Sequence, residues 1–440
     1  MRRPATFSGG VRLPEYKELT AHKPIRALPL PPVLILPLAQ NSGAVPRPVV
    51  ERGTEVRRGQ VIAEPVGYCS VPLHAPATGC VTAIGEFPHP IRGRSRAIAI
   101  ETAGEENERR APLPPLARED EWTPETIRAR VRDAGIVGMG GAGFPTHVKL
   151  TPPDSARIEY VILNGAECEP FLTVDHRILL ETPEKALQGL RLSMKAAGAA
   201  QGIIALEENK KDVLDKIGPF LAPFPEIFPV LLRIKYPQGS EKQLIAALLG
   251  REVPSGKLPA DVGCVVQNAQ TCAAVADAVL LGEPLISRVV TVTGPGVVEP
   301  GNFRVSVGTP FSWLTVAAGG IRGDNLQILS GGPMMGIPQA SLDAPVIKGT
   351  SGVVVLPAPP SPVEYPCVRC GSCVRVCPMG LAACDLARLS QQGKYDEFRE
   401  AGGENCLECG CCAFVCPAKR ELVQLIQLGK AAARGGRKET

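Results

Sequence analysis

The sequence predicts a multidomain chain of mixed α/β and α+β architecture, and three observations support that prediction. Its 440 residues amount to about three ordinary domains at roughly 150 residues each. Between Tyr160 and Leu281, apolar strand-like runs alternate with helical ones, the pattern of a parallel α/β sheet. Ten of the 15 cysteines fall between Cys367 and Cys416, so the carboxyl end forms a module of its own. Composition narrows the rest. Gly (46) and Pro (44) mark a loop-rich chain without the G-X-Y period of collagen. Aromatics at 4% and a net charge of +4 speak against a nucleic-acid binder, so no nucleic-acid partner is expected. The apolar run Leu28 to Ala39 is interrupted by Pro29, Pro31, Pro32 and Pro37 and cannot span a bilayer as a helix. The amino end lacks a signal-peptide pattern. A cytosolic chain is expected, free to sit on a membrane complex.

Residues 1–105 read as short strands and turns. A Gly-Thr-Glu-Val turn lies within Val49 to Ile62, and another turn and strand run from His74 to Val81. The pattern is similar to lipoyl or biotinyl carrier domains, a barrel-sandwich hybrid. The stretch Glu64 to Ser70 has no lysine to modify, so the module reads as structural. Residues 104–121 are a charged, proline-rich linker. Thr123 then caps a helix with Pro124 in first position, running to about Ala134.

Gly138, Gly140 and Gly143 match G-x-G-x-x-G, with Gly141 as an extra glycine. The match follows a helix rather than a strand and is followed by Phe144-Pro145, so it is not a standard dinucleotide fingerprint. Backbone without Cβ atoms still lets N–H groups approach an anion closely. Lys149 stands near enough in sequence to supply a countercharge. Strands are expected at Tyr160–Leu163, Gly202–Leu206 and Val230–Ile234, and helices at Asp175–Ala197 and Asn209–Ile217. Ser240 opens a further helix with Gln243 as its capping-box partner. Directly after the first strand, Asn164, Glu167 and Glu169 place an amide and two carboxylates where open α/β sheets bind ligands. A cofactor-contacting set and a solvated polar loop both fit that segment. From Ile286 to about Gly336 β character returns, beginning with Arg288–Thr293. Residues 357–366 hold five prolines and form a stiff spacer, and residues 430–440 are a basic tail.

Cys367, Cys370, Cys373 and Cys377 have the spacing C-x2-C-x2-C-x3-C, followed by Pro378; Cys406, Cys409, Cys412 and Cys416 repeat it before Pro417. This is the bacterial ferredoxin run. Three thiolates on one tight loop hold three irons of a cubane, and the fourth reaches across to the other cluster. Cys367, Cys370, Cys373 and Cys416 would hold one 4Fe–4S cluster, and Cys406, Cys409, Cys412 and Cys377 the second. A pair of zinc sites is the alternative, although zinc ribbons use two C-x2-C pairs across a longer loop. Cys384 and Cys411 are surplus, and a swap of Cys411 for Cys412 stays open. Cys69, Cys80, Cys168, Cys264 and Cys272 read as small buried apolar residues, with Cys168, between two acids, the one to watch.

Gly138–Leu150 (GMGGAGFPTHVKL), Asn164–Asp175 (NGAECEPFLTVD), Tyr236–Leu244 (YPQGSEKQL), Gly250–Thr271 (GREVPSGKLPADVGCVVQNAQT) and Gly331–Gly336 (GGPMMG) resemble the C subunit of the Rnf electron transport complex. The resemblance covers nearly the whole chain. The central part is also similar to the NADH-binding flavoprotein subunit of respiratory complex I. That resemblance implies an FMN site lined by Gly138, Gly140, Gly141, Gly143, Lys149, Asn164, Tyr236, Gly239, Glu241, Asn268 and Thr271. Glu167 and Glu169 would lie near flavin and nicotinamide, and Phe144 would stack on NADH. The implied domains are a barrel-sandwich hybrid (1–105), a Rossmann-like flavin/NADH domain (122–283), a β-grasp domain of the soluble-ligand-binding (SLBB) type (284–345) and a two-cluster ferredoxin-like domain (356–430).

The function so implied is electron transfer between NADH, FMN and two 4Fe–4S clusters, with no protein nucleophile or base required. The chain would be the peripheral subunit on the cytoplasmic side of the membrane, coupled through membrane subunits of the Rnf complex to ferredoxin and to sodium or proton translocation. Two other functions share part of the pattern. A flavin- and cluster-containing cobalamin reductase has the glycine and cysteine motifs but lacks an amino-terminal barrel. A non-catalytic electron-relay adaptor is suggested by Ala166 and Ser240, which stand where the complex I pattern has acids.

Overall fold

The computed structural model describes residues 4–116, 118–153, 155–359 and 363–435. Of the stretches expected to be linker, spacer and tail, residue 117, residues 360–362 and residues 436–440 lie outside the described residues.

Two antiparallel sheets form the amino-terminal barrel-sandwich. One is ordered Val33–Pro37, Gly93–Thr102, Gly79–His89, Glu55–Val56; the other is ordered Arg47–Pro48, Val61–Glu64, Leu73–His74. Alternate residues turn inward, and Leu34, Leu36, Ile62, Leu73, Ile98 and Ile100 share one buried core. Burying each of these side chains stabilises the module by roughly 1.5–3 kcal/mol.

The central domain has a four-stranded, wholly parallel sheet in the order Ile227–Leu232, Gln201–Glu207, Tyr160–Gly165, Cys264–Asn268. Its strands are apolar on both faces, as a parallel sheet covered on two sides requires. Val161 and Leu163 pack with Ile127, Leu190 and Val275 of the helices Pro124–Asp133, Pro183–Ala197 and Ala269–Leu281. Ile162 and Ala166 pack on the other side with Leu244 and Ile245 of the helix Glu241–Leu249.

Three expectations change in detail. The helix expected over Asp175–Ala197 is two helices, Val174–Glu181 and Pro183–Ala197. Pro183 has no N–H to continue the first and a φ suited to starting the second. The third strand is Ile227–Leu232 rather than Val230–Ile234, because the chain leaves the sheet at Arg233, whose N–H donates to Ala5 O at 2.9 Å. Thr123 caps its helix as expected, accepting from Thr126 N. No side-chain cap forms at Ser240; its Oγ bonds Gln243 Oε1 at 3.2 Å, and Gln243 Nε2 donates to Pro378 O at 2.9 Å.

A mixed six-stranded sheet follows, ordered Ile25–Ala27, Gly301–Ser306, Ser287–Thr293, Gly352–Pro357, Leu326–Ser330, Ile337–Gln339. Phe311 and Leu314 of the helix Phe311–Ala317 pack against Val290, Val292 and Phe303. The cysteine module closes around Phe398, which packs with Leu386 and Ile426 of the helices Ala383–Gln391 and Leu422–Gly435.

The two cysteine runs repeat in backbone as they do in sequence, at an offset of 406 − 367 = 39 residues. Arg369 and Glu408 are both left-handed (φ 53° and 58°), as are Gly371 and Gly410 (72° and 80°) and Gly380 and Lys419 (66° and 53°). Each run ends in a one-turn helix, Ser372–Arg375 and Cys411–Phe414. Among the described residues, no helix is long and apolar enough to cross a membrane.

Candidate functional site

Parallel strands place the loops at their carboxyl ends side by side, which is where an open α/β sheet binds ligands. Asn268 ends the strand Cys264–Asn268, and its Oδ1 caps the helix Ala269–Leu281 by accepting from Gln270 N and Thr271 N. Its Nδ2 donates to Asp175 Oδ2 at 2.6 Å. The glycine loop folds over this point. Met139 N–H donates to Thr271 Oγ1 at 3.0 Å, and Gly138 N–H to Phe144 O at 2.9 Å. A Cβ on Gly140 would stand 2.8 Å from Asn268 Nδ2, so a side chain there would collide with the amide. Gly141 meets nothing within 4 Å and is exposed, as is Ala142. Gly143 takes φ +67°, and its carbonyl accepts from Ser42 N–H at 3.0 Å.

The loop after Tyr160–Gly165 is held differently. Asn164 Nδ2 donates to Gly239 O at 2.8 Å, and Gly239 N–H donates to Cys168 Sγ at 3.3 Å, which joins the segments 164–168 and 236–241. Glu167 and Phe171 both sit in the left-handed region, at φ 46° and 70°. Glu167 turns its carboxylate to the amino end of Val174–Glu181 and accepts from Asp175 N at 2.7 Å and His176 N at 3.3 Å. Glu169 accepts from Met334 N at 3.1 Å and Met335 N at 2.9 Å, within Gly331–Gly336. Both carboxylates assigned to flavin and nicotinamide contact by the resemblance therefore have backbone partners. Lys149, expected to face an anion, bonds Glu241 Oε1, and it also donates to Val266 O at 2.8 Å. Phe144 is half-buried beside the glycines.

Two buried lysines that sequence reasoning missed clamp the acidic loop. Lys17 Nζ donates to the carbonyls of Glu167, Glu169 and Leu172 at 2.8, 2.9 and 2.6 Å. Lys210 Nζ donates to Ala166 O at 2.7 Å. No local pattern marks Lys17, which lies 150 residues from Glu167. Burial lowers the pKa of Lys17 and raises that of nearby acids. Glu169, Asp175 and Glu207 are each pushed up to about 7 by desolvation, with the Glu167 charge adding to the effect at Asp175. Burial also pushes the Cys168 thiol up to about 12, so it stays protonated and unreactive.

Tyr236, joined by a cis bond to Pro237, is buried, with its hydroxyl near the Glu169 carboxyl. Asp175 Oδ1 and the side-chain amides of Gln238 and Gln267 are buried and unmet among the described residues. These polar atoms lie in the segments that end the parallel strands.

The cysteine module sits against this site. Tyr236 packs in one apolar cluster with Val11, Cys409 and Cys411, joined by Cys168, Met334 and Leu407. Cys411 Sγ donates to Tyr236 O at 3.8 Å. Next to this contact lies a cavity lined by Cys377, Cys406, Cys409, Cys411 and Cys412, bounded by Leu381, Leu386 and Ile426. They include the four residues expected for the second cluster, together with the surplus Cys411. Hydrogen bonding from the Cys411 side chain, set against burial, lowers the Cys409 thiol to about 7, whereas burial raises the Cys406 thiol and pushes Cys412 up to about 12. Cys373 is buried beside Cys384, whereas Cys367 and Cys370 are exposed and Cys416 is half-buried. Among the described residues, no three His, Cys, Asp or Glu side chains converge tightly enough to hold a single metal ion. The ligands of a cubane bind separate irons and stand farther apart than those of one ion.

Comparison with known proteins defines the class first. The family model described as Nuo51 FMN-binding domain matches residues 131–277, with RnfC Barrel sandwich hybrid domain at 5–105 and SLBB domain at 289–338. The chain is thus built on an FMN-binding domain flanked by a barrel sandwich and an SLBB domain. Crystal structures of NAD+-reducing [NiFe]-hydrogenase, in the H2-reduced and air-oxidized states, share the fold with TM-scores of 0.51 and 0.50 at 21% and 22% identity. These matches cover 74% and 70% of this chain, and 67% and 63% of the hydrogenase chains. The C subunit of the proton-translocating ferredoxin:NAD(+) oxidoreductase complex of Clostridium ljungdahlii is 44% identical over 98% of this chain and 94% of its own length. Its Na(+)-translocating counterpart from Acetobacterium woodii is 42% identical over 97% and 96%. The C subunit of the ion-translocating oxidoreductase complex of Rhodobacter capsulatus is 41% identical over 98% and 84%. The chain belongs to this family of C subunits of ion-translocating oxidoreductase complexes.

Proposed function

We propose that the chain is the NADH- and FMN-binding subunit of an ion-translocating ferredoxin:NAD oxidoreductase complex and that it carries two 4Fe–4S clusters. The observation that supports this most directly is the juxtaposition of Tyr236, at the strand ends, with Cys409 and Cys411, beside a cavity lined by Cys377, Cys406, Cys409, Cys411 and Cys412. The FMN phosphate fits the open backbone at Gly141. Asn164 bonded to Gly239, and Thr271 bonded to Asn268 and to the glycine loop, fix the walls. When bound, FMN takes two electrons from NADH as a hydride and releases them singly to iron–sulfur centres. Glu169, titrating near neutrality, is able to hold a proton on its carboxyl at working pH. Cys367, Cys370, Cys373 and Cys416 hold the outer cluster and Cys377, Cys406, Cys409 and Cys412 the inner one. The partners are the membrane subunits of the complex, with ferredoxin reached through them, and the chain sits on the cytoplasmic face of the membrane.

An anaerobic absorption spectrum with iron, zinc and flavin quantification, before and after NADH, tests this. About eight irons and one flavin per chain, bleached by NADH, are expected. Zinc in place of iron, or absorbance unmoved by NADH, overturns it.

A further inference from the structure

The two cysteine loops are the same backbone twice, yet only one is covered. In the second run Leu407, Cys409 and Cys411 are packed under Val11, Tyr236 and Met334. At the offset of 39 residues, their counterparts are Val368, Cys370 and Ser372. Val368 is 68% exposed, and Cys367 and Cys370 are open to solvent. Around them Val363 is 65% exposed, Tyr365 57% and Val374 38%, so apolar side chains crowd a solvent face just where two ligands of the outer cluster emerge. Such a cluster on a soluble surface marks an interaction site.

Its charge is one-sided. Arg369, Arg375 and Lys419 are exposed, and Tyr365 N–H donates to Ala418 O, which brings Lys419 alongside. The neighbouring acid, Glu364, is paired with Arg420 at 2.6 Å. The inner loop carries the opposite sign at the matching place, Glu408 where the outer has Arg369.

We propose that this face, formed by Val363, Tyr365, Val368, Arg369, Val374 and Arg375, docks a redox domain of a companion subunit whose own cofactor is rimmed by carboxylates. The proposal rests on the cluster assignment above. The inner loop shows what covers such a surface: a cofactor domain lies against Leu407, and the outer loop presents the same shape to a second one. A small apolar centre ringed by cations suits a modest, salt-sensitive electron-transfer contact.

The test uses the full chain, loaded with iron and flavin, added back to membranes of its complex from which this subunit has been washed. Rebinding and NADH-linked electron transfer through the complex are measured at low and high salt. The double substitution Val368→Glu with Arg369→Glu is expected to weaken both at least tenfold and to remove the salt dependence. Bleaching of its own chromophores by NADH should be unchanged. Val316→Glu, at a 72% exposed position outside the cysteine module, should behave as wild type. Should the double variant lose iron, Val363→Glu with Tyr365→Ser, outside the cysteine run, provides the same comparison. Unchanged rebinding and transfer in an iron-loaded variant overturn the docking face while leaving the electron-transfer function standing. A wild-type chain without iron overturns both.

Discussion

The two loops that meet over the ends of the parallel strands are built in opposite ways. Residues 138–143 are mostly glycine, exposed at Gly140 to Ala142, with Asn268 close to Gly140 and Ser42 bonded to the Ala142 and Gly143 carbonyls. Residues 166–172 are tied down at the Ala166, Glu167, Glu169 and Leu172 carbonyls by buried ammonium groups, and their two glutamates cap other segments. One loop leaves its backbone free for a ligand. The other spends its polar groups on holding two left-handed residues in place, a conformation that costs non-glycine residues about 1–3 kcal/mol each. The contrast separates a receiving surface from a positioning one, and it assigns Glu167 and Glu169 to the second.

The largest effect should come from removing the clamp. Lys17→Met strands three buried carbonyls, a loss on the order of 3 kcal/mol, readable as a lowered denaturation midpoint. Flavin should be lost on gel filtration while the iron content of the cysteine module holds. A midpoint within experimental scatter of wild type would erase the distinction between the loops.

A smaller, pH-linked effect belongs to the same region. Glu169, Asp175 and Glu207 have folded pKa values raised to about 7 from ordinary carboxylate values. A raised value means that the folded state holds the proton more tightly than the unfolded one. The stability is therefore complete below the unfolded value, near pH 4, and is lost as pH rises through about 7. Thermal unfolding should move to lower temperature between pH 5 and about 8, and Glu207→Gln should flatten that slope by on the order of 1 kcal/mol. A stability that climbs over this range contradicts the assignment.

The finest test lies in the open loop. Gly140→Ala pushes a methyl into Asn268, whose cap and Asp175 bonds restrain it, at about 1–2 kcal/mol. Gly141→Ala meets no protein atom within 4 Å and should leave apo stability within about 0.5 kcal/mol. Titration with FMN should nonetheless show weaker binding, because the methyl occupies ligand space. Equal FMN affinity in wild type and Gly141→Ala would show that the loop does not face the flavin.

What the sequence reveals and what it hides divide along contact distance. The cysteine runs are legible because eight ligands and their turns repeat locally, and the left-handed residues at 369 and 408 follow the same offset. The parallel sheet is legible from its apolar strands. The split at Pro183 is available from local chemistry but is masked by a long apolar periodicity. Lys17 is not legible, since an isolated lysine in a polar stretch has the look of a solvated side chain until the fold brings three carbonyls to it. Gln243 gives a capping signature, yet its amide is used 135 residues away on Pro378; tertiary hydrogen bonding outweighs the local motif.

The strand Ile25–Ala27 aligns beside Gly301–Ser306, Ile25 opposite Asn302. Sequence neighbours are thereby exchanged for partners 277 residues distant. As the polypeptide leaves the ribosome, this early segment has nowhere to settle until most of the chain has been made. A bulky tag fused near it would hinder the last stitch of assembly rather than the first, and a chaperone that shields the waiting segment would raise the yield.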